Sequence, residues 1–255
     1  MGILHERTID VKIYAGIAIP TYNEVNNISN LLNKLYEQLT HIKELDTTVL
    51  IIDDNSPDGT ANLVQKLSKR YKSKNFRIII LSRKTKDGLG RAYIAGFNKL
   101  MGLNLDYIIQ MDADLSHNPS YIPNFIMAAK KNYDFVVGSR YISGGSTPDW
   151  SVYRRVLSKS GNLYSRLILG NKISDYTGGF NMYSVDLLKK IDTNIITSTG
   201  YGFLIELKHR ARLKAKNIKE IPIVFSDRVH GKSKLPKSTI IKNLILVPRV
   251  RFRAK

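Results

Sequence analysis

Residues 49–60 read VLIIDDNSPDGT, and the fold turns on this stretch. Val49, Leu50, Ile51 and Ile52 form an apolar run with no polar position in it. A strand wetted on one face alternates, so an unbroken run belongs to a strand covered on both faces. Asp53, Asp54, Asn55, Ser56, Pro57, Asp58 and Gly59 then end it, all of them residues that favour turns. From Thr60 the period changes: Leu63, Val64 and Leu67 recur at helical spacing up to residue 71.

The same strand, polar turn and helix recur on either side. Residues 14–19 are an apolar run stopped by Pro20, and residues 26–39 repeat Ile28, Leu31, Leu32, Leu35 and Leu39 at helical spacing. Residues 77–81, 107–111 and 135–137 are further runs, with helical patterns over 90–101 and 121–131. The order β-α-β-α-β-α-β-α-β predicts an α/β fold, a mostly parallel sheet with helices on both faces. Ligands bind such sheets beyond the carboxyl ends of the strands. Polar clusters occupy those ends, at residues 20–24, 53–58, 112–114 and 139–141, and are expected to converge. Beyond them the pattern loosens. Residues 144–149 read as a loop and 153–169 mix basic with apolar residues. Thr177, Gly178, Gly179 and Phe180 make a tight turn, 203–213 a helix and 219–225 a short strand. Residues 226–237 form a basic loop, and 240–247 an apolar run that Pro248 is expected to stop. The domain reading is one domain over residues 1–237 and a basic amphipathic tail over 238–255, able to touch a membrane.

Composition narrows the classes. Of 255 residues, 43% are apolar, enough for a packed core and against disorder. There is no Cys, which excludes a disulfide scaffold, a Cys-ligated metal and a Cys nucleophile. No stretch reaches the roughly 18–20 apolar residues of a membrane span, and residues 1–12 lack the apolar core of a secretory signal. Forty Lys and Arg against 21 acids give a net charge of +19, which points to an anionic partner. Residues 61–100 carry eleven bases and one acid, Asp87; residues 228–255 carry nine and none. Nucleic acid, an anionic membrane and phosphorylated small molecules all fit, as does a lysine-rich solvated surface. The basic blocks lack interleaved stacking aromatics and no nucleic-acid motif appears, so nucleic acid is set aside.

Against this basic background the carboxylates are concentrated. Asp112 and Asp114 flank Ala113 at a strand end, where residues two apart share a face. Two such carboxylates repel unless a cation or a proton lies between them. Mg²⁺ and Mn²⁺ take oxygen ligands, commonly one or two carboxylates plus substrate phosphates. A solvated strand-end turn is the commoner origin of a lone Asp-x-Asp, so the triplet by itself is a weak signal. Asp53 and Asp54 can accept from a nucleobase or a ribose; Ser56 and Asp58 suit helix caps. Tyr22 offers a π-face and Glu24 an acceptor, with Asn23 or Asn26 as caps. Arg140 follows a strand, and Arg228 and Lys234 lie in the late basic loop; cations of this kind neutralise a departing phosphate.

Taken in order, these segments resemble the inverting family 2 glycosyltransferases of GT-A (Rossmann-like) fold, and among them the dolichyl-phosphate mannosyltransferases. The resemblance rests on IPTYNE at 19–24, IIDDNSPDGT at 51–60, GLGRAYIAGF at 88–97, MDADLSHNP at 111–119, GSRY at 138–141, DYTGGF at 175–180, GYGF at 200–203 and DRVHGKSKL at 227–235. It implies that Pro20, Tyr22, Glu24, Ile52 and Asp54 hold guanosine. By the same resemblance Asp112, Ala113 and Asp114 hold Mg²⁺ or Mn²⁺ and diphosphate. Arg140 meets the acceptor phosphate or the sugar-phosphate, and Arg228 and Lys234 close over the donor. It further implies transfer of mannose from GDP-mannose to dolichyl phosphate, as used in protein glycosylation and GPI-anchor assembly. The setting would be the cytosolic face of the endoplasmic reticulum membrane, with small membrane subunits as possible tethers. A UDP-sugar-dependent polyprenyl-phosphate hexosyltransferase and a non-catalytic nucleotide-sugar binder are the alternatives, with the basic nucleic-acid binder set aside above as a third. Some relatives carry Gln as a metal ligand two residues past the Asp-x-Asp; here that position is Ser116.

Overall fold

The computed structural model describes residues 12–198, 200–227 and 237–253. Seven strands make one sheet in the order β3-β2-β1-β4-β6-β5-β7. They are β1 (Ile13–Thr21), β2 (Leu45–Asp53), β3 (Phe76–Ser82), β4 (Tyr107–Gln110), β5 (Phe135–Ser139), β6 (Asn181–Ser184) and β7 (Ile218–Pro222). All pairings are parallel except those of β6, which runs antiparallel to both β4 and β5. The helices are α1 (Val25–Leu39), α2 (Thr60–Arg70), α3 (Leu89–Met101), α4 (Ile122–Lys130), α5 (Val152–Leu169), α6 (Val185–Ile191), α7 (Tyr201–Lys214) and α8 (Lys237–Arg253).

Alternate strand residues serve two cores, which is why the runs are apolar throughout. Ile17, Ile19, Val49, Ile51 and Ile109 pack with Ile28, Leu31 and Leu35 of α1 and Phe125 of α4. Ala18, Leu50, Ile52 and Ile108 pack on the other face with Phe97 of α3 and Leu207 of α7. At Gly96 of α3 an added Cβ would lie 2.3 Å from Ile52 Cδ1, so this glycine sets how closely α3 approaches the sheet.

Three features depart from the sequence reading. β6 enters between β4 and β5, so these consecutive strands are not neighbours. Pattern could not show it, because Asn181, Met182, Tyr183 and Ser184 are short and polar at both ends. The expected helix over 121–131 begins instead as a 3-10 turn, Pro119–Tyr121, capped by the Asn118 side chain. Pro248 does not stop the last helix: α8 runs through it to Arg253. Proline deprives the carbonyl four residues back of its donor, and the Tyr164 hydroxyl of α5 donates to that carbonyl, Leu244 O, at 2.8 Å. Val247 and Val250 are buried in the α7-side core, fastening α8 there.

α7 is buried on nearly every side, charges included. Arg210 pairs with Glu206 at 2.9 Å. His209, 3% exposed, has its pKa pushed down to about 4, by burial first and then by Arg212, Arg210 and Arg251. The unfolded imidazole titrates near 6.5, so between these values the unfolded chain holds more protons and acid favours unfolding. Thermal stability is therefore expected to fall as pH drops from 6.5 to 4. His209→Gln should flatten that limb by roughly 5 °C, measured by circular dichroism melts. An unaltered limb in the variant would assign the acid sensitivity elsewhere.

Candidate active site

The strand registers bring the predicted polar clusters to one edge. Thr21 lies beside Asp53 and Asp53 beside Ser82, while Ala18 pairs with Gln110, two residues before Asp112. The edge holds three groups of side chains.

The first lies at the ends of β1 and β2. Asp53 is internal bracing: its carboxylate accepts from the Thr21 hydroxyl at 2.9 Å, from Ser56 N–H at 2.9 Å and from the Ser56 hydroxyl at 2.6 Å. Asp58 closes the same turn, accepting from Thr60 N–H and from Val25 N–H, both at 3.0 Å. It thus caps α1 across space, where neither Asn23 nor Asn26 does. Asp54 takes a different partner, the Arg83 guanidinium at 2.8 Å. Burial raises the Asp54 pKa and Arg83 opposes the rise. Arg83 also bonds Asp87, and Lys86 lies 3.8 Å over the ring of Tyr22. The 83–87 segment therefore rests on the two side chains expected to meet a nucleobase, Tyr22 and Asp54. Glu24 accepts from the Asn27 amide at 2.7 Å, and Pro20 is half-buried opposite Ile52. The Ile52 and Ala113 side chains belong to the cores.

The second group follows β4. Asp112 Oδ1 accepts from the Tyr93 hydroxyl at 2.7 Å, and its N–H donates to His117 Nδ1 at 3.0 Å. Burial holds His117 below its ordinary pKa, against the pull of Asp112 and Asp114. Its neutral ring stacks on Phe180. Asp114, nearly buried, accepts at Oδ1 from Ser116 N–H at 3.1 Å and from the Ser116 hydroxyl at 2.6 Å. That turn requires Leu115 at φ 64°, a conformation seldom adopted by leucine. Ser116, which stands where some relatives carry a metal ligand, orients Asp114 here. At Gly179 a Cβ would sit 3.3 Å from His117 and 3.7 Å from Asp112 Oδ2, so glycine keeps the space beside this carboxylate. Among the described residues no cluster of three or more His, Cys, Asp or Glu forms a complete metal cage. Two carboxylates on a strand end, one 30% exposed at its side chain, suit a hard cation whose other ligands are phosphate oxygens.

The third group surrounds Arg140 at the end of β5. Its guanidinium meets Asp175 side-on, Nε at 2.7 Å and Nη2 at 2.8 Å, and Nη2 also donates to Thr177 Oγ1 at 2.8 Å. Trp150 and Phe225 lie 5.3 and 5.4 Å from it. Phe225 also meets His117 edge-on at 5.4 Å, so the second and third groups share one aromatic wall. Arg228 and Lys234 lie outside the described residues.

The glycosyl transferase family 2 profile matches residues 16–192, covering all three groups except Phe225. The chain belongs to glycosyl transferase family 2. It is 37% identical over 237 residues to the undecaprenyl-phosphate mannosyltransferase of Micrococcus luteus, covering 93% of each chain. It is 35% identical over 239 residues to the polyprenol monophosphomannose synthase of Mycolicibacterium smegmatis, covering 94% of this chain and 87% of that one. In fold it is similar to glucosyl-3-phosphoglycerate synthase from Mycobacterium tuberculosis, solved with Mn²⁺ and UDP. The TM-score is 0.63 at 16% identity, over 95% of this chain and 80% of that chain. The likeness shows the GT-A fold.

The sequence of this glycosyltransferase does not mark Arg83, Tyr93 or Asp175 as site residues, nor Lys208, which donates to the Asp175 backbone carbonyl at 2.6 Å. Arg83 sat in a basic block readable as solvated surface. Tyr93 lies inside the helical pattern over 90–101. Asp175 appeared only inside a quoted motif, and Lys208 inside a helix with no apolar stripe.

Proposed function

We propose that the enzyme transfers mannose from GDP-mannose to the phosphate of a polyprenyl phosphate, with inversion at the anomeric carbon. The observation that carries this is the shared wall between the Asp112/Asp114 pair and Arg140. It supports a donor diphosphate held against a second anion. The mannosyltransferase and mannose-synthase relatives support the sugar and the polyprenyl acceptor. Both come from bacteria, so the acceptor is written as polyprenyl phosphate; dolichyl phosphate and the endoplasmic reticulum face follow from the resemblance alone.

The acceptor oxygen attacks the anomeric carbon as its bond to the GDP phosphate breaks. A phosphate is already ionised near neutral pH, so no strong general base is needed. The work is positioning and electrostatics. Asp112 and Asp114, fixed by Tyr93, His117 and Ser116, would hold Mg²⁺ or Mn²⁺. A divalent cation bound there supplies positive charge to the departing diphosphate. Asp54, braced by Arg83, offers an acceptor to a base N–H, and Arg140 steadies the acceptor phosphate.

The acceptor's lipid places the enzyme at a membrane. Among the described residues no helix is long and apolar enough to cross one. α5 instead exposes Val152, Tyr153, Val156, Leu163 and Leu167, and α8 exposes Leu244, Ile245 and Phe252. Neither helix carries an acid, as a surface lying on anionic lipid would require. The inner side of α5 reaches the site: Ser158 accepts from Tyr141 at 2.6 Å and Asn162 donates to Thr177 at 3.0 Å.

The test is transfer by the purified chain with Mg²⁺ or Mn²⁺, a short polyprenyl phosphate, and GDP-mannose beside UDP-glucose. Mannosyl transfer from GDP-mannose is expected. Transfer from UDP-glucose alone would overturn the donor, and none to any polyprenyl phosphate would overturn the acceptor.

A further inference from the structure

Asp175 is the most heavily engaged carboxylate of the site, and the mechanism above gives it no part. It is fully buried, in the loop between α5 and β6. Oδ2 accepts from Arg140 Nε at 2.7 Å and from Arg140 N–H at 3.2 Å. Oδ1 accepts from Arg140 Nη2 at 2.8 Å, Thr177 N–H at 3.2 Å and Gly178 N–H at 2.9 Å. Burial alone would raise its pKa. Arg140, foremost among the opposing groups, and Lys208 hold it far below the ordinary carboxylate range. There is no slack behind it: at Gly178 a Cβ would lie 3.1 Å from Asp175 Oδ2.

The contacts divide into two sets. The backbone N–H groups of Thr177 and Gly178, with that of Arg140, anchor the carboxylate to the backbone, and the two guanidinium bonds set the plane of the Arg140 side chain. A side-on fork leaves the guanidinium no rotation about its long axis, which a single bond to an ammonium would permit. Thr177 Oγ1, itself held by Asn162 Nδ2, accepts from Nη2 and fixes the same plane from a second direction. Lys208, fully buried on α7, donates to the Asp175 backbone carbonyl at 2.6 Å. Arg140 and Lys208 thus both stand at Asp175, with Glu220 acting on Lys208 as a further anion.

We infer that Asp175 is a positioning residue for the transfer: it aims the Arg140 guanidinium at the acceptor phosphate from the carboxyl end of β5. The inference rests on the proposed function, in which Arg140 meets that phosphate. It predicts that disturbing Asp175 weakens acceptor recognition and leaves donor recognition alone, because Asp175 bonds no residue of the Tyr22, Asp54 and Arg83 group.

The experiment compares wild type with Asp175→Asn, Asp175→Glu, Arg140→Lys and the Asp175→Asn/Arg140→Lys pair. KM and kcat are measured separately for polyprenyl phosphate and for GDP-mannose, on protein shown folded by circular dichroism. Asp175→Asn is expected to raise the acceptor KM at least about tenfold and to shift the donor KM less than about twofold. Asp175→Glu retains the ion pair with the guanidinium displaced, so it tests the idea even where Asp175→Asn fails to fold; an intermediate rise is expected. In the Arg140→Lys background Asp175→Asn should add little, since both changes remove one device. A purely structural Asp175 would lower the melting temperature with the acceptor KM of the folded protein unmoved, or would add in full to Arg140→Lys; either result overturns the inference. Trp150, the sole tryptophan, separates this from failure of the proposed function. If wild type transfers nothing to polyprenyl phosphate, that function falls, and Trp150 emission is followed on adding farnesyl phosphate. A response weakened or lost in Asp175→Glu upholds the aiming role; no response in wild type, or an equal one in the variant, overturns it.

Discussion

Asp114→Ala is expected to abolish transfer, by at least about a thousandfold, while the protein remains folded. The carboxylate is nearly buried at the head of a strained turn, and two bonds from Ser116 fix Oδ1. Removing it strands the Ser116 N–H and hydroxyl, a loss of about 1–3 kcal/mol. A domain stable by about 5–15 kcal/mol survives that. The site would lose one of two charges able to hold a cation against a diphosphate. Ser116→Ala, which keeps the carboxylate and frees its orientation, should cost far less, within about tenfold. Turnover, and Mn²⁺-dependent GDP binding by titration calorimetry, read the two effects apart. Retained turnover in folded Asp114→Ala would remove the metal-holding role from this pair.

The contrast between Asp53 and Asp54 shows how far such a site is legible beforehand. Both follow the same apolar run, and position on a strand end marks both as polar groups at the binding edge. Only contacts separate them: Asp53 is consumed by Thr21 and Ser56, and Asp54 turns to Arg83, 29 residues away. Strand existence and strand ends are local properties, written in the apolar runs and the turn residues that stop them. The convergence of residues 20–24, 53–58 and 112–114 followed from those alone. Strand order is not local. The insertion of β6 carries the 170–180 loop beneath Arg140, and nothing in the spacing of Arg140, Asp175 and Lys208 announces that they meet. α8 shows the same limit from the other side. Pro248 is a stop by its own chemistry, and a tyrosine 84 positions earlier supplies the donor to Leu244 that the proline lacks.

α5 is the clearest case, and it yields the prediction of next largest effect. Its buried residues are Asn162, Ser165 and Leu169, while Val152, Val156, Leu163 and Leu167 are exposed. At 100° per residue those four fall within about 60° of one another, opposite the buried set. A helix serving only the core would show the reverse. Val156→Ser/Leu163→Ser/Leu167→Ser is expected to release the enzyme from vesicles containing anionic phospholipid. Each side chain, more than half exposed, forfeits about 1 kcal/mol of apolar burial in lipid. The sum of about 3 kcal/mol is roughly a hundredfold in partition. The basic residues of α5 and α8 remain, so residual binding should vanish on raising salt, where wild type holds on. Melting temperature should hold, because the three positions touch solvent. Transfer to a short, water-soluble polyprenyl phosphate should stay within about twofold of wild type, and transfer to a long-chain acceptor embedded in vesicles should fall with vesicle binding. Were the triple variant to sediment with anionic vesicles as wild type does, the outward apolar face of α5 would not be the lipid surface. Loss of soluble-acceptor transfer at an unchanged melting temperature would instead place those side chains in the catalytic step.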